Sequence, residues 1–456
     1  MQQKSYEMDM TEGPLLQKIL SYSLPLMVTG VLQFLYNAAD MMVAGKFAGS
    51  QALAAVGSTG SLINLIVALF IGLAVGVGVE VARHYGAKEY ENVSQTVHTA
   101  MLMSIIGGVA IGLFGYFLAH RFLVWMACPA DVIDQATLYV RIFFVGLPAV
   151  MVYNFGASVL RAVGDTRRPL YFLMISGVLN VGLNLLFVIV FRMGVAGLAW
   201  ATVISEILSA ILVVNCLMHT AGSVRFFPRK MTIHWDKLRD MARIGLPAGL
   251  QSAIFAISNV LIQSTVNSFG SYAMAGSSAA GNLENFIYIA VNSFSQCTVT
   301  FISQNVGAQK YERISKINNY SSLLVILSGL VAGAAVFFLR EPLLRLYNDD
   351  PQVIAFGSER LLMIATTYFL CGTMEVYSGS LRGMGKSLAP ALITIFGACV
   401  FRIVWLQTVF PYFNTLGSIF ASYPASWLLT TLIEMVFYLV VKKRLLAKHA
   451  GELARV

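Results

Sequence analysis

Apolar runs long enough to cross a lipid bilayer recur along the whole chain, and that recurrence leaves few folds open to it. Thr96 to Ala119, Leu170 to Phe191 and Ser321 to Leu339 are examples, each bounded by charge, Gly or Pro. A helix needs about 20 apolar residues to span the hydrocarbon core. The 456 residues are 57% hydrophobic and only 12% charged, with a mean hydropathy of +0.72, far outside soluble usage. A bilayer must therefore be the solvent. The reading is an all-α integral membrane protein with twelve transmembrane helices, expected at 15–38, 52–81, 95–119, 132–160, 168–191, 195–218, 238–268, 273–303, 317–339, 353–381, 388–410 and 416–441. No segment remains for a soluble catalytic domain. Lys4, Glu7, Asp9 and Glu12 precede a first run that is too long and too poorly flanked for a cleaved signal peptide, so it reads as the first helix.

A net charge of +9 would suggest nucleic acid in a soluble protein, but placement decides otherwise. With these helices, the tails and even-numbered loops carry twenty-two of the Lys and Arg residues, from Lys4 to Arg455, and the opposite loops carry five: Lys46, Arg121, Arg192, Arg340 and Arg345. Basic loops stay in the cytoplasm. Both termini are therefore expected there, in a multi-pass protein of the cell membrane, and nucleic acid is not a partner. The five cysteines are scattered with no CxxC spacing, and the six histidines form no HExxH, so neither a disulfide framework nor a zinc site is indicated.

The chain also repeats itself at an offset of 221 or 222 residues. Gly86-Ala87-Lys88-Glu89-Tyr90-Glu91 returns as Gly307-Ala308-Gln309-Lys310-Tyr311-Glu312, and Leu160-Arg161-Ala162-Val163-Gly164 as Leu381-Arg382-Gly383-Met384-Gly385. Leu24-Pro25 matches Leu246-Pro247, Pro169 matches Pro390, and the pair Gly108 and Gly112 matches Gly329 and Gly333. Six helices per repeat bring the second copy into the membrane in the same orientation as the first. The expected architecture is two six-helix bundles related by a pseudo-two-fold axis along the membrane normal. The domains follow: a cytoplasmic tail at 1–14, an N-lobe at 15–218, a cytoplasmic linker at 219–237, a C-lobe at 238–441 and a basic cytoplasmic tail at 442–456.

Twelve helices, the LP pair in helices 1 and 7, and the GA-x-x-Y-E loop after helices 2 and 8 resemble the MATE (multidrug and toxic compound extrusion) transporter family. Gln304-Asn305-Val306-Gly307-Ala308, Leu160 to Thr166 and Ala196 to Thr202 add to the likeness, which covers essentially the whole chain. The resemblance implies two bundles around a cleft that opens to one side at a time, and export of amphipathic, often cationic compounds against a proton or sodium gradient. It also implies an N-lobe cation site at Tyr36, Asp40, Asn180 and Thr202.

The residues carry their own argument. An aspartate within an apolar helix is expensive and usually functional. Asp40 ends helix 1, and the i, i+4 spacing puts Tyr36 on its face, where the phenol can bond the carboxylate; an interfacial Asp facing water is the other reading. Asn180 and Asn184 repeat that spacing on helix 5, as oxygen ligands or as interhelical glue. Many members of the family have a second aspartate where this chain has Asn184. Asp40 must then carry the charge change of the N-lobe alone, and coupling to H+ and to Na+ both stay open. Shifted by the repeat, Asp40, Asn180 and Asn184 fall on Ile262, Phe401 and Trp405, so the polar cluster belongs to one half only. A second candidate polar site lies in the C-lobe at Glu284, Asn282, Glu375 and Arg402, with a structural Glu284–Arg402 ion pair as the alternative; Arg402 and Arg141 are read as the buried cations. Glu206 and Glu434 lie deep in helices 6 and 12. Pro25 removes a backbone bond within helix 1 and marks it as a moving, gating element. GSLRGMGKS at 379–387 lacks the first glycine of a phosphate loop, since Ser380 stands in its place, and the repeat explains it instead.

The expected function is secondary active multidrug efflux by cation antiport with alternating access. A flippase or exporter of a lipid-linked or amphipathic metabolite is the alternative, and a membrane enzyme or channel is disfavoured. No cofactor is expected beyond the transported H+ or Na+, the latter at Asp40 if a metal binds at all. Partners are amphipathic cations and membrane lipids, and a monomer is expected.

Overall fold

The computed structural model describes residues 6–126 and 128–453; Lys4 and Arg455, counted above, lie outside the described residues. Twelve helices are long and apolar enough to cross a membrane. They are α1 (Leu15–Ala48), α2 (Gln51–Gly86), α3 (Tyr90–Trp125), α4 (Ile133–Ala162), α5 (Arg167–Val190), α6 (Gly194–His219), α7 (Trp235–Asn267), α8 (Ser271–Gly307), α9 (Tyr311–Arg345), α10 (Pro351–Gly383), α11 (Leu388–Phe413) and α12 (Leu416–Gly451). The described residues form no strand. Helices satisfy their own amides, which is why lipid selects them.

The sequence repeat reappears in the backbone. Residues with φ in the left-handed region pair across the halves: Gly49 (92°) with Gly270 (101°), Lys88 (61°) with Gln309 (58°), Gly164 (95°) with Gly385 (77°), and Arg192 (53°) with Asn414 (45°). Each pair ends or joins the same two helices in its half, so the reversals that set the topology are inherited with the repeat.

Close helix approach follows the same rule. A Cβ on Gly108 would stand 2.5 Å from the Pro148 Cα, and one on Gly112 2.7 Å from the Phe144 carbonyl, so the GxxxG of α3 lies directly on the α4 backbone. Its echo does the same to α10: Gly329 meets Phe369, and Gly333 meets Thr366. Small residues let two backbones touch where lipid supplies no hydrophobic drive. Gly108→Val is accordingly expected to destabilise the protein by about 1–3 kcal/mol or more through overpacking. Thermal unfolding in detergent, followed by size-exclusion monodispersity, measures it.

Two compact units emerge. The first comprises Met1–Asp9 and Val28–Gly245, and the second Met10–Met27 and Leu246–Val456. Two helices are thus divided between units, α1 two residues after Pro25 and α7 one residue before Pro247. The connection after α6 is bound within the first unit. The Phe227 amide donates to His98 Nε2 (3.1 Å), the His234 amide to Thr99 Oγ1 (3.1 Å), and Val224 and Phe226 are buried. The basic segment from Lys442 is helical, the last helix continuing to Leu453.

Candidate functional site

The first-unit cluster starts from a correction. α1 continues past Asp40 to Val43 and then, as a π-helical turn, through Ala48, so Asp40 sits inside the span and not at its end. Across from it, α5 presents Asn180 and Asn184 one turn apart. The Asn184 Nδ2 amide donates both to Asp40 Oδ1 (2.5 Å) and to Asn180 Oδ1 (3.2 Å). Both asparagines are buried, Asn184 completely, while Asp40 is half-buried. Asn184 Oδ1 has no hydrogen-bond partner among the described residues. No Lys or Arg nitrogen lies within 4.0 Å of the Asp40 carboxylate among them. The charge on Asp40 is therefore met by an amide dipole alone.

The expected Tyr36 to Asp40 bond does not form. The Tyr36 hydroxyl donates to the Met174 carbonyl at 3.5 Å, because its ring lies flat on α5 at Gly177, where a Cβ would stand 2.0 Å from two ring carbons. Tyr36 thus fixes the distance between α1 and α5 and, through it, that between Asp40 and Asn184. Gly177→Val should push the ring off, lengthen the carboxylate–amide contact and lower transport several-fold with the protein still folded. Transport rate set against thermal midpoint separates the two effects.

Thr202 donates locally to the Leu198 carbonyl (3.1 Å). It reaches the cluster through Tyr139 of α4, which interacts electrostatically with both Thr202 and Asp40. Tyr139 was not legible from spacing alone, but the repeat that relates Leu160-Arg161 to Leu381-Arg382 relates Tyr139, which is buried, to Arg360, whose side chain is 11% exposed. Two π-helical turns frame the cluster, Ala44–Ala48 after Asp40 and Leu186–Val190 after Asn184, and they pack on each other. Such turns are frequent at functional sites. Among the described residues no group of three or more His, Cys, Asp or Glu is placed to hold a metal.

In the second unit the four candidate residues are distributed over separate surroundings. Glu284 does not pair with Arg402. Its partner is Arg360, overlooked in the sequence, which binds it in parallel through Nε (2.9 Å) and Nη2 (2.9 Å) while Nη1 donates to Ser277 Oγ (2.6 Å). The two side chains are 7% and 11% exposed. Arg402 is fully buried in an aromatic box instead, its guanidinium carbon 4.2 Å from the Tyr423 ring centre, 5.4 Å from Phe255 and 5.6 Å from Trp427. Ser426 accepts from its Nε at 2.8 Å. Aromatic faces can hold a desolvated guanidinium where no carboxylate does. Asn282 and Glu375 are both half-buried, and Glu375 acts electrostatically on Glu434 of α12. Pro25 is interior to α1, as expected.

A two-fold repeated bundle of twelve membrane-crossing helices, with an acid sequestered among amides in one half only, defines a multi-pass membrane transporter. The comparisons agree. The MatE family model matches residues 25–186 and again 247–406, each match opening on the proline of an LP pair. The chain belongs to that family, and it is a transporter of the MATE class, not an enzyme. It is 25% identical to the probable multidrug resistance protein YoeA of Bacillus subtilis over 432 residues, 93% of each chain. It is 27% identical to the probable multidrug resistance protein YpnP of the same organism over 86% of this chain and 88% of that one. The multidrug export protein MepA of Staphylococcus aureus is 21% identical over 94% of this chain and 95% of its own. Among solved structures, an outward-facing multidrug resistance MATE transporter superposes with a TM-score of 0.89 at 21% identity, covering 96% of this chain and 98% of that one. A MOP-superfamily transporter from Pyrococcus furiosus superposes at 0.90 with 22% identity, covering 97% and 99%.

Proposed function

We propose that the protein exports amphipathic organic cations across the cell membrane by proton antiport, with Asp40 as the residue that takes and yields the coupling proton. The observation that carries this reading is the double donation of Asn184 Nδ2 to Asp40 and Asn180. An amide hydrogen aimed at the carboxylate stabilises its charge without neutralising it, and leaves Oδ2 to accept a proton. A sodium ion needs several oxygens turned toward one point, as hard cations do. Here an N–H occupies the space between the carboxylate and the nearest amide oxygen.

Exchange of one proton for one monovalent cation moves no net charge, so the pH gradient alone drives it, and each unit of pH sustains roughly a tenfold substrate gradient. Alternating access fits the division of α1 and α7 between the two units beside Pro25 and Pro247, since a proline lowers the resistance of a helix to bending. Cytoplasmic termini follow from the basic loops. Twenty Met and 29 Phe supply adaptable apolar surface for unlike substrates, and the multidrug names of the relatives point the same way.

Proteoliposomes loaded with ethidium test the ion directly. An acid-outside pH gradient should drive efflux, and a sodium gradient of equal size at equal pH should leave it at the passive rate. Sodium-driven efflux at constant pH would overturn the proton reading.

A further inference from the structure

The end of α2 carries a charged cluster that the Asp40 reading does not use, and His84 stands at its centre. His84 Nδ1 meets Glu89 Oε2 of the following loop at 2.6 Å. Its Nε2 meets two groups of opposite charge: Glu80 Oε1, one turn back on α2, at 2.9 Å, and Lys237 Nζ, in the first turn of α7, at 3.2 Å. Glu80 and Lys237 are both buried, at 2% and 6% exposure. Arg83 Nη1 lies 3.7 Å from Glu80 Oε2, Asp236 Oδ2 lies 3.6 Å from Lys237 Nζ, and Asn92 of α3 donates to Glu89 Oε2 at 2.9 Å. The charged groups facing His84 are thus Glu80 and Arg83 from α2, Glu89 from the loop, and Lys237 with Asp236 from α7. The neighbouring Tyr85 phenol donates to Glu7 instead.

These contacts cannot all be satisfied at once, because a carboxylate only accepts and an ammonium only donates. Glu89 is exposed, and its bond from His84 holds its carboxyl below the usual range. It keeps a hydrogen on Nδ1, so Nε2 is the nitrogen that gains or loses a proton. Bare, Nε2 accepts from Lys237 and turns its lone pair on Glu80. Protonated, it donates to Glu80 and sets an imidazolium against a buried ammonium. Lys237 is also the first rung of a ladder that lays α7 on α2. One turn on, the Met241 carbonyl rests on Gly76, and a further turn on, a Cβ at Gly245 would stand 2.8 Å from the Leu73 Cα. Gly245 is the last residue of α7 in the first unit. We propose that His84 is a pH-sensitive latch: neutral, it ties the entry of α7 to α2 through Lys237, and protonated, it turns to Glu80 and releases that entry. On the orientation proposed above the latch faces the cytoplasm, so acidification there frees the segment of α7 that leads to the second unit. The repeat puts Asn305 in the place of His84 and Phe301 in that of Glu80. Asn305 donates to the Met10 and Phe301 carbonyls and does not titrate, so the latch belongs to one half only.

Hydrogen–deuterium exchange of the full-length protein in liposomes tests this, read at the amides of residues 238–245 and corrected for the intrinsic pH dependence of exchange. Between pH 8 and pH 5, where histidine changes charge, protection in the wild type should fall about tenfold. His84→Gln still accepts from Lys237 but gains no proton, and Lys237→Gln removes the charge conflict. Each should show the same protection at both pH values. An Asp40→Asn background should leave the wild-type response unchanged, since no coupling step enters the readout. Wild-type protection that does not change with pH, or a fall of equal size in either variant, would overturn the latch.

Discussion

Asp40→Asn is expected to reduce gradient-driven ethidium efflux to the leak of protein-free liposomes while leaving the fold intact. The substitution keeps an oxygen for the Asn184 amide at the same place, so the bond that joins α1 to α5 survives. What disappears is the only carboxylate of the cluster. Asn180, Asn184, Thr202 and Tyr139 bind protons too weakly to replace it near neutral pH. Had the second family aspartate stood at 184, a partial activity would be the natural expectation. With Asn184 there, the loss should be complete. Efflux undiminished in the variant would remove Asp40 from the coupling mechanism.

The second large effect concerns stability. Arg360→Ala should destabilise the protein by about 3–5 kcal/mol, because it strands Glu284 in a dry interior without its counter-charge. The bidentate geometry, the further bond to Ser277 and the low exposure of both side chains set this pair apart from surface bridges worth about 0–1 kcal/mol. Replacing both residues together, as Glu284→Leu with Arg360→Met, should recover most of the loss, since an apolar pair of similar volume needs no desolvation. Denaturant or thermal unfolding of detergent-solubilised protein measures both. A loss under about 1 kcal/mol for Arg360→Ala would place the pair in water.

The helices, their number and the repeat were legible because lipid imposes them: long apolar runs and paired glycines leave few other readings. Asp40, Asn180 and Asn184 stood out because polar atoms in apolar helices are conspicuous, and the structure brings all three together. Partner choice was not legible. Periodicity places Tyr36 on the face of Asp40 but does not show that Gly177 leaves a slot for its ring on α5. Arg360, the Glu284 partner, lies early in the expected helix 353–381, whereas Arg402 lies deep in its own. Sequence gives the depth of a charge, while its neutralisation depends on which helices touch: α8 meets α10 at Arg360, and α12 wraps Arg402 in Tyr423 and Trp427. The end of helix 1 was set too early because Lys46 and several glycines follow Asp40, and a π-helical turn carries the chain through them.

The central claim is that one proton on Asp40 is exchanged against the transported cation, and proton counting tests it most directly. Purified protein in weakly buffered detergent solution, with a pH indicator present, is mixed with saturating ethidium at a pH where the pocket is protonated. The account predicts about one proton released per wild-type molecule and none from Asp40→Asn at equal ethidium binding. Equal proton release from wild type and variant would contradict it.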